Sequence, residues 1–415
     1  DEPVTGIVTG LNANPPFSQP LTATPNPNAV PPTTVSLVNP SAGAPSSLSP
    51  TTIDPNFNNP YVQSYNLNIE HQLTPSMGLI VGYIGSKGTH LRIARNINQF
   101  ELSGSALVRP FPKVSASSPI DPGINLGNIT QVTSGAGSNY NAVILELNRR
   151  LSHGLQLISS YTYSKSIDEN SLNTQGVILQ DSTNLLGNRG LSDFNVRHRG
   201  VVSGFYELPF HGNRLNRLIS GWEVGTIVQA QTGNPLNLVT GITSFTGTAN
   251  LGALRPDPLA PVTATGNPAQ WFSNAVVCEN YSGPLPASPA PALPACSSTP
   301  NAAFTVPCTF SNVPTSSNTY PVMSNTCHFG NLGRNALTGP RFVNTDLSLV
   351  KNTKLTERMN LQFRAEAFDV FNHPNFGNPN LNVQNSSFGK ITNTRFPTGD
   401  FGSARQLQAS LKLQF

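Results

Sequence analysis

The residues best placed to do chemistry are four cysteines, Cys278, Cys296, Cys308 and Cys327, all within one 50-residue stretch. An even number clustered in a Pro/Ser-rich segment reads as disulfides formed in an oxidising compartment. Four cysteines allow three pairings, and the sequence does not choose among them. Zinc is the rival reading, but there is no Cys-x-x-Cys pair and only His328 lies close by, short of the usual ligand spacing. The next candidates are charges at alternating positions, Glu146 with Arg150 and Arg364 with Glu366. Their spacing puts each pair on one face of an extended strand. The seven histidines (His71, His90, His153, His198, His211, His328 and His373) are dispersed. His198 stands between Arg197 and Arg199, with Asp193 and Glu207 nearby in sequence. No nucleophile elbow, His-Glu-x-x-His run or phosphate-binding loop occurs. No catalytic, cofactor or metal residue is expected, and the chain is not read as an enzyme.

The elements that position these residues show in the composition. Only 11% of the 415 residues are charged, and 37% are hydrophobic, against roughly a quarter charged in an average soluble protein. The remainder is rich in turn and β-surface residues, including 34 Gly and 37 Pro. The net charge of +4 is scattered, so no nucleic-acid footprint is expected. No apolar run reaches the ~18–20 residues of a membrane-spanning helix. Any span must be made of strands. The chain opens at Asp1 without a Met or a signal segment, and is expected to be a processed product or a piece of something longer.

Nine period-two segments follow: Tyr61–His71, Met77–Ile93, Tyr140–Leu151, Leu155–Ser166, Val196–Leu208, Gly221–Gln231, Phe342–Lys351, Arg358–Phe371 and Ala404–Phe415. Leu407, Ala409, Leu411, Leu413 and Phe415 alternate with Gln406, Gln408, Ser410, Lys412 and Gln414 in the last of them. Most segments are long for soluble strands, and about 9–11 tilted residues cross a bilayer. Short connections alternate strictly with long ones, the layout of an outer-membrane barrel with short periplasmic turns and long extracellular loops. Residues 1–60 read as a Pro-rich outer segment, residues 61–415 as barrel strands, and residues 232–341 as a long Cys-containing loop. A second Pro-rich run occupies Pro284–Pro294. Tyr61, Tyr161, Tyr163, Tyr206, Trp222 and Phe415 fall near strand ends, as headgroup-level girdles require. In this setting Glu146, Arg150, Arg364 and Glu366 are expected to face the lumen, paired with neighbours. The basic cluster around His198 suits lipopolysaccharide phosphates or loop carboxylates, as charge-assisted contacts, rather than catalysis.

Ordered stretches carry a family resemblance. They include Asn59-Pro-Tyr-Val-Gln-Ser-Tyr-Asn-Leu-Asn-Ile-Glu, Val81-Gly-Tyr-Ile-Gly-Ser-Lys-Gly-Thr-His-Leu, Tyr140–Leu151 and Gly154–Asp168. Asp193–Phe210, Gly221–Pro235, Gly330–Leu355 and Leu361–Pro379 continue the set in the same order. On these the chain resembles the C-terminal barrel of Oar-like TonB-dependent receptors. The resemblance implies an antiparallel transmembrane β-barrel segment in the bacterial outer membrane that passes a bulky nutrient or polymer. It implies a C-terminal signal, Leu411, Leu413 and Phe415, read by the barrel-assembly machinery. Outer-membrane lipid and lipopolysaccharide are the expected surroundings. TonB would be engaged only through a plug and N-terminal part that this sequence does not contain. The rival readings are a non-transporting structural or adhesive barrel and a secreted β-sandwich adhesin.

Nine is odd, whereas single-chain bacterial barrels have even strand numbers, so an incomplete barrel is expected. It should take the form of an open antiparallel sheet with two free edges. The alternative is a strained closure of about ten strands that borrows Val4–Leu11 as a partner.

Overall fold

The computed structural model describes residues 47–103, 106–114, 125–171, 177, 179–210, 219–240, 254–279, 294, 296–306, 320–321, 329–395 and 404–415. Cys308, Cys327, His211, His328, Val4–Leu11 and most of both Pro-rich stretches lie outside the described residues.

Nine strands form one antiparallel sheet in sequence order. They are β1 (Tyr61–Thr74), β2 (Met77–Asn96), β3 (Thr130–Ser152), β4 (Leu155–Asp168), β5 (His198–Glu207), β6 (Trp222–Gln231), β7 (Phe342–Lys354), β8 (Asn360–Phe368) and β9 (Gln406–Gln414). Among the described residues β1 pairs only with β2 and β9 only with β8, so the sheet is open at both edges. No helix among the described residues is long and apolar enough to cross a membrane.

Alternation decides the faces, because successive side chains on a strand point opposite ways. The register aligns Ile69, Val81, Leu145, Tyr161, Gly200, Ala230 and Val343 across seven strands on one face, the outer one. One residue along, Glu70, Ile80, Glu146, Ser160, Val201, Gln229 and Asn344 form the corresponding row of the inner face. Of the exposed large hydrophobics on these strands, Val81, Tyr83, Val143, Leu145, Tyr161, Val224, Leu347 and Leu349 lie on the outer face, while Ile158 and Ile227 lie on the inner one. An apolar face left uncovered by the protein itself is what a strand bordering hydrocarbon requires.

The β3–β4 hairpin shows how local sequence sets this register. Ser152 pairs with Leu155, leaving a two-residue loop of His153 at φ 53° and Gly154 at φ 76°. Two positive φ values in succession make the turn whose twist matches the flanking strands. A Cβ on Gly154 would also meet the Glu207 carbonyl at 2.9 Å.

Several boundaries differ from the sequence reading. β1, β2 and β7 run three residues further, to Thr74, Asn96 and Lys354, β8 is shorter at both ends, and β3 starts at Thr130, not Tyr140. The added stretch Thr130–Asn139 reads as loop because Ser, Gly and Thr interrupt its pattern. It is held as strand by pairing with the far end of β2 and, on Thr130–Val132, with the short parallel strand Thr51–Ile53. At about 3.3 Å per residue these strands are roughly twice as long as a bilayer crossing needs, so their ends project past it on the side of the long loops.

Candidate functional site

The long connections do not hang free. Two clusters of buried apolar residues lie at the long-loop rim. The larger contains Leu236, Leu238, Trp271, Phe272, Phe304 and Phe388, drawn from the connections after β6 and β8. The Trp271 indole donates to the Thr338 carbonyl at 3.1 Å, and the Phe272 and Phe388 rings lie 5.4 Å apart. Asn380, Asn382 and Asn385 each accept, through side-chain oxygen, the backbone N–H two residues on. These repeated Asx turns explain how an Asn-rich segment folds without strand or helix. The smaller cluster gathers Ile93, Ala94, Ala136, Val177 and Leu179, covering the projecting ends of β2 and β3.

Between the clusters lies a buried polar clamp. The Arg334 guanidinium donates through Nε to the Asn188 carbonyl at 2.9 Å and through Nη2 to the Asp168 carbonyl at 2.8 Å. It also forms ion pairs with the Asp168 carboxylate and, at 3.2 Å, with Asp193. Arg255 sits beside it. Its Nε, Nη1 and Nη2 donate to Leu332 O at 2.8 Å, Asn188 Oδ1 at 2.9 Å and Gly187 O at 3.0 Å. Burial, and then the neighbouring Arg334 charge, push the Arg255 pKa down to about 10. Two guanidiniums with carbonyl and carboxylate partners thus tie the connection after β4 to the one after β6. Further bonds hold Ser192–Val196 beside β4, where Gly190–Leu191 already pairs with Ile167–Asp168: Asn195 Oδ1 accepts from Ser166 N at 2.7 Å, and the Ser164 hydroxyl donates to Val196 O at 2.7 Å. The described parts of these loops therefore form a packed cap at the long-loop rim.

Below the cap the inner face carries polar side chains among apolar ones such as Ile158, Phe205 and Ile227. Glu223 Oε1 accepts from Asn352 Nδ2 at 2.8 Å, and Asn352 Oδ1 accepts from Gln362 Nε2 at 2.9 Å, a chain across β6, β7 and β8. A cavity of 390 Å³ on this face is lined by Gln156, Phe205, Glu223, Ser348 and Arg364, among others. Such a surface can contact a hydrated solute.

The residues singled out in the sequence fall as follows. Arg364 and Glu366 are joined at 3.3 Å on the inner face. Glu146 is on the same face and accepts from Asn148 Nδ2 at 2.7 Å. Arg150 lies at the short-turn rim, where its N–H donates to the Ser76 carbonyl at 2.9 Å, and it is not brought together with Glu146. Cys278 and Cys296 are joined in a disulfide, with Cα atoms 4.9 Å apart. Leu411, Leu413 and Phe415 are exposed along the β9 edge. His198 is not assembled with carboxylates: Glu207 is at the other end of β5, and Asp193 is held by Arg334. His198 Nδ1 instead lies 2.8 Å from the Tyr161 hydroxyl. Sequence reasoning did not single out Arg255, Arg334 or Asp168. Arg334 stands in the Gly-Asn-Leu-Gly-Arg-Asn run, but nothing local announces partners more than 140 residues away.

Among solved structures, the chain is similar to the outer membrane transporter YddB from Escherichia coli, at 9% identity and TM-score 0.43, covering 88% of this chain and 34% of that one. It is similar to the FrpB iron transporter from Neisseria meningitidis at 7% identity and TM-score 0.36, covering 88% and 33%. The pyoverdine receptor FpvA from Pseudomonas aeruginosa aligns at 10% identity and TM-score 0.34, covering 86% and 30%. The chain thus spans about a third of the length of the solved structures it matches. No curated protein sequence matches it. The outer membrane beta barrel domain family matches residues 1–408. The chain belongs to that family, and its place is the bacterial outer membrane.

Proposed function

We propose that this chain is the C-terminal wall of a TonB-dependent transporter of the Oar-like kind, whose inner face lines the path of a bulky nutrient or polymer. The observation that carries the reading is the contrast between the two faces. The outer face is aliphatic and aromatic, while the inner face bears the Glu223–Asn352–Gln362 chain and the Arg364–Glu366 pair beneath a packed loop cap. The ordered sequence motifs supply the family subtype. Short turns face the periplasm and the long connections face outward. Leu411, Leu413 and Phe415 serve as the signal for the assembly machinery, and energy coupling comes from a part of the protein outside this chain.

A strain lacking the protein and a strain lacking TonB are grown in parallel on a panel of oligosaccharides and peptides as limiting nutrients. Both should lose growth on the same nutrient class, and restoring the full-length gene should return it to the first. Normal growth of the first strain on every nutrient would overturn the transport reading. Orientation is read separately, by labelling whole cells with a membrane-impermeant maleimide. Cysteine introduced at Leu259 on a long connection should react, and cysteine introduced at His153 should not.

A further inference from the structure

The outer face changes character in steps toward the long-loop rim. Above the aliphatic row that includes Val81 and Leu145 lies a row of Leu67, Tyr83, Val143, Tyr163 and His198. The next row is Tyr65, Gly85, Asn141 and Lys165, and the one beyond it is Gln63, Lys87, Asn139 and Ile167. Lys87 and Lys165 are both exposed. No carboxylate shares these rows, and neither lysine forms an ion pair among the described residues. The tyrosines are fixed in place: the Tyr65 and Tyr83 hydroxyls both donate to Asn141 Oδ1, at 3.2 and 2.7 Å, and the Tyr163 ring lies 5.1 Å from that of His198.

Tyrosines at this level mark the depth of the headgroups, and the two lysines sit immediately above them. An ammonium there meets lipid phosphate rather than open water. The lysines are two strands and one row apart, which strand geometry turns into about 12 Å between their Cα atoms. One phosphodiester headgroup cannot satisfy both at that distance. A headgroup with phosphates at the two ends of a disaccharide can, with the Asn139 amide, whose Oδ1 accepts from Asn141 Nδ2 at 2.9 Å, between them as a hydrogen-bond donor to the sugar.

We propose that Lys87 and Lys165, with Asn139, Asn141 and the tyrosine row beneath, bind the bis-phosphorylated disaccharide headgroup of lipopolysaccharide on the outer face of β2–β4. The proposal rests on the outward orientation of the long-loop rim, which the labelling experiment tests independently. It adds a lipid site that the transport reading neither needs nor supplies. The lipid contacts are charge-assisted and span three strands, so the bound lipid staples β2, β3 and β4 together.

The test uses full-length protein purified from outer membranes, stripped of lipid in detergent and titrated with bis-phosphorylated lipid A, its mono-phosphorylated form or phosphatidylglycerol. Retained lipid is counted by native mass spectrometry. Wild type should hold the bis-phosphorylated lipid about tenfold more tightly than either comparator. Lys87→Gln/Lys165→Gln should lose that preference, while Lys87→Arg/Lys165→Arg should keep it. Lys354→Gln/Lys390→Gln, which removes the same charge elsewhere, should leave it intact. Unchanged preference in Lys87→Gln/Lys165→Gln, equal retention of all three lipids by wild type, or equal loss in the charge-matched control would each overturn the site. If labelling shows the long loops facing the periplasm, the site falls together with the orientation; correct labelling with unchanged retention removes the site alone.

Discussion

Arg334 and Asp168, 166 residues apart in sequence, are joined twice, guanidinium to main-chain carbonyl and guanidinium to carboxylate, with both side chains 5% exposed. A charge pair this deep is held by geometry: most of the Arg334 donors are spoken for, so desolvation is repaid by hydrogen bonds as well as by attraction. Arg334→Leu leaves a buried carboxylate without its counter-charge and should destabilise the cap by about 3–5 kcal/mol. Hydrogen exchange should accelerate through residues 185–195 while the strands stay protected. Adding Asp168→Asn should recover part of the loss, because the two residues are coupled. Additive losses in the double variant would contradict this account.

Arg255 predicts the pH dependence of the cap. Its pKa is lowered by burial and then by Arg334, from the ordinary arginine range to about 10. A folded state that releases this proton earlier binds fewer protons than the unfolded state above about pH 10, so the arginine's contribution to stability rises with pH there and is flat below pH 10. The difference in urea midpoint between wild type and Arg255→Met should therefore stay constant from pH 6 to 9. It should shift in favour of wild type above pH 10. A difference that varies steeply near neutrality would show that another group titrates with it.

The Cys278–Cys296 bridge closes a loop with a sequence separation of 18. In the chain-entropy model that loop is worth about 3 kcal/mol. Cys278→Ala/Cys296→Ala should weaken the larger apolar cluster, which contains Val277 and Phe304, and expose that connection to protease. Non-reducing peptide mapping should recover a Cys278–Cys296 pair. Free thiols at both positions in oxidised protein would refute the bridge.

The two faces differ in the cost of a charge. Leu145→Arg places a guanidinium on the outer face within the aliphatic row and should destabilise the membrane-inserted protein by about 2–4 kcal/mol. Gln229→Arg, in the adjacent inner row, should cost less than about 1 kcal/mol. Guanidinium unfolding in lipid vesicles measures both, and equal costs would mean that the outer face does not border hydrocarbon.

Strands, faces and their order were legible from the sequence because a period of two needs no tertiary partner to be seen. Leu407, Ala409, Leu411 and Leu413 opposite Gln406, Gln408, Ser410 and Lys412 announce β9 by themselves. The His153–Gly154 turn is equally local, since its backbone asks for the residues that tolerate positive φ. The alternation of short and long connections then orders the strands into one sheet with neighbours in sequence paired. What the sequence could not show is whatever depends on residues distant in the chain. Thr130–Asn139 becomes strand only because β2 and Thr51–Ile53 lie beside it. Arg255 and Arg334 resemble ordinary loop arginines until the fold buries them against Asn188 and Asp168. Lys87 and Lys165 sit in separate motifs and meet on one surface only through the register of β2, β3 and β4. Local periodicity decides where a strand runs and which way its side chains point. Pairing of distant segments decides which of those side chains share water, lipid or a buried partner.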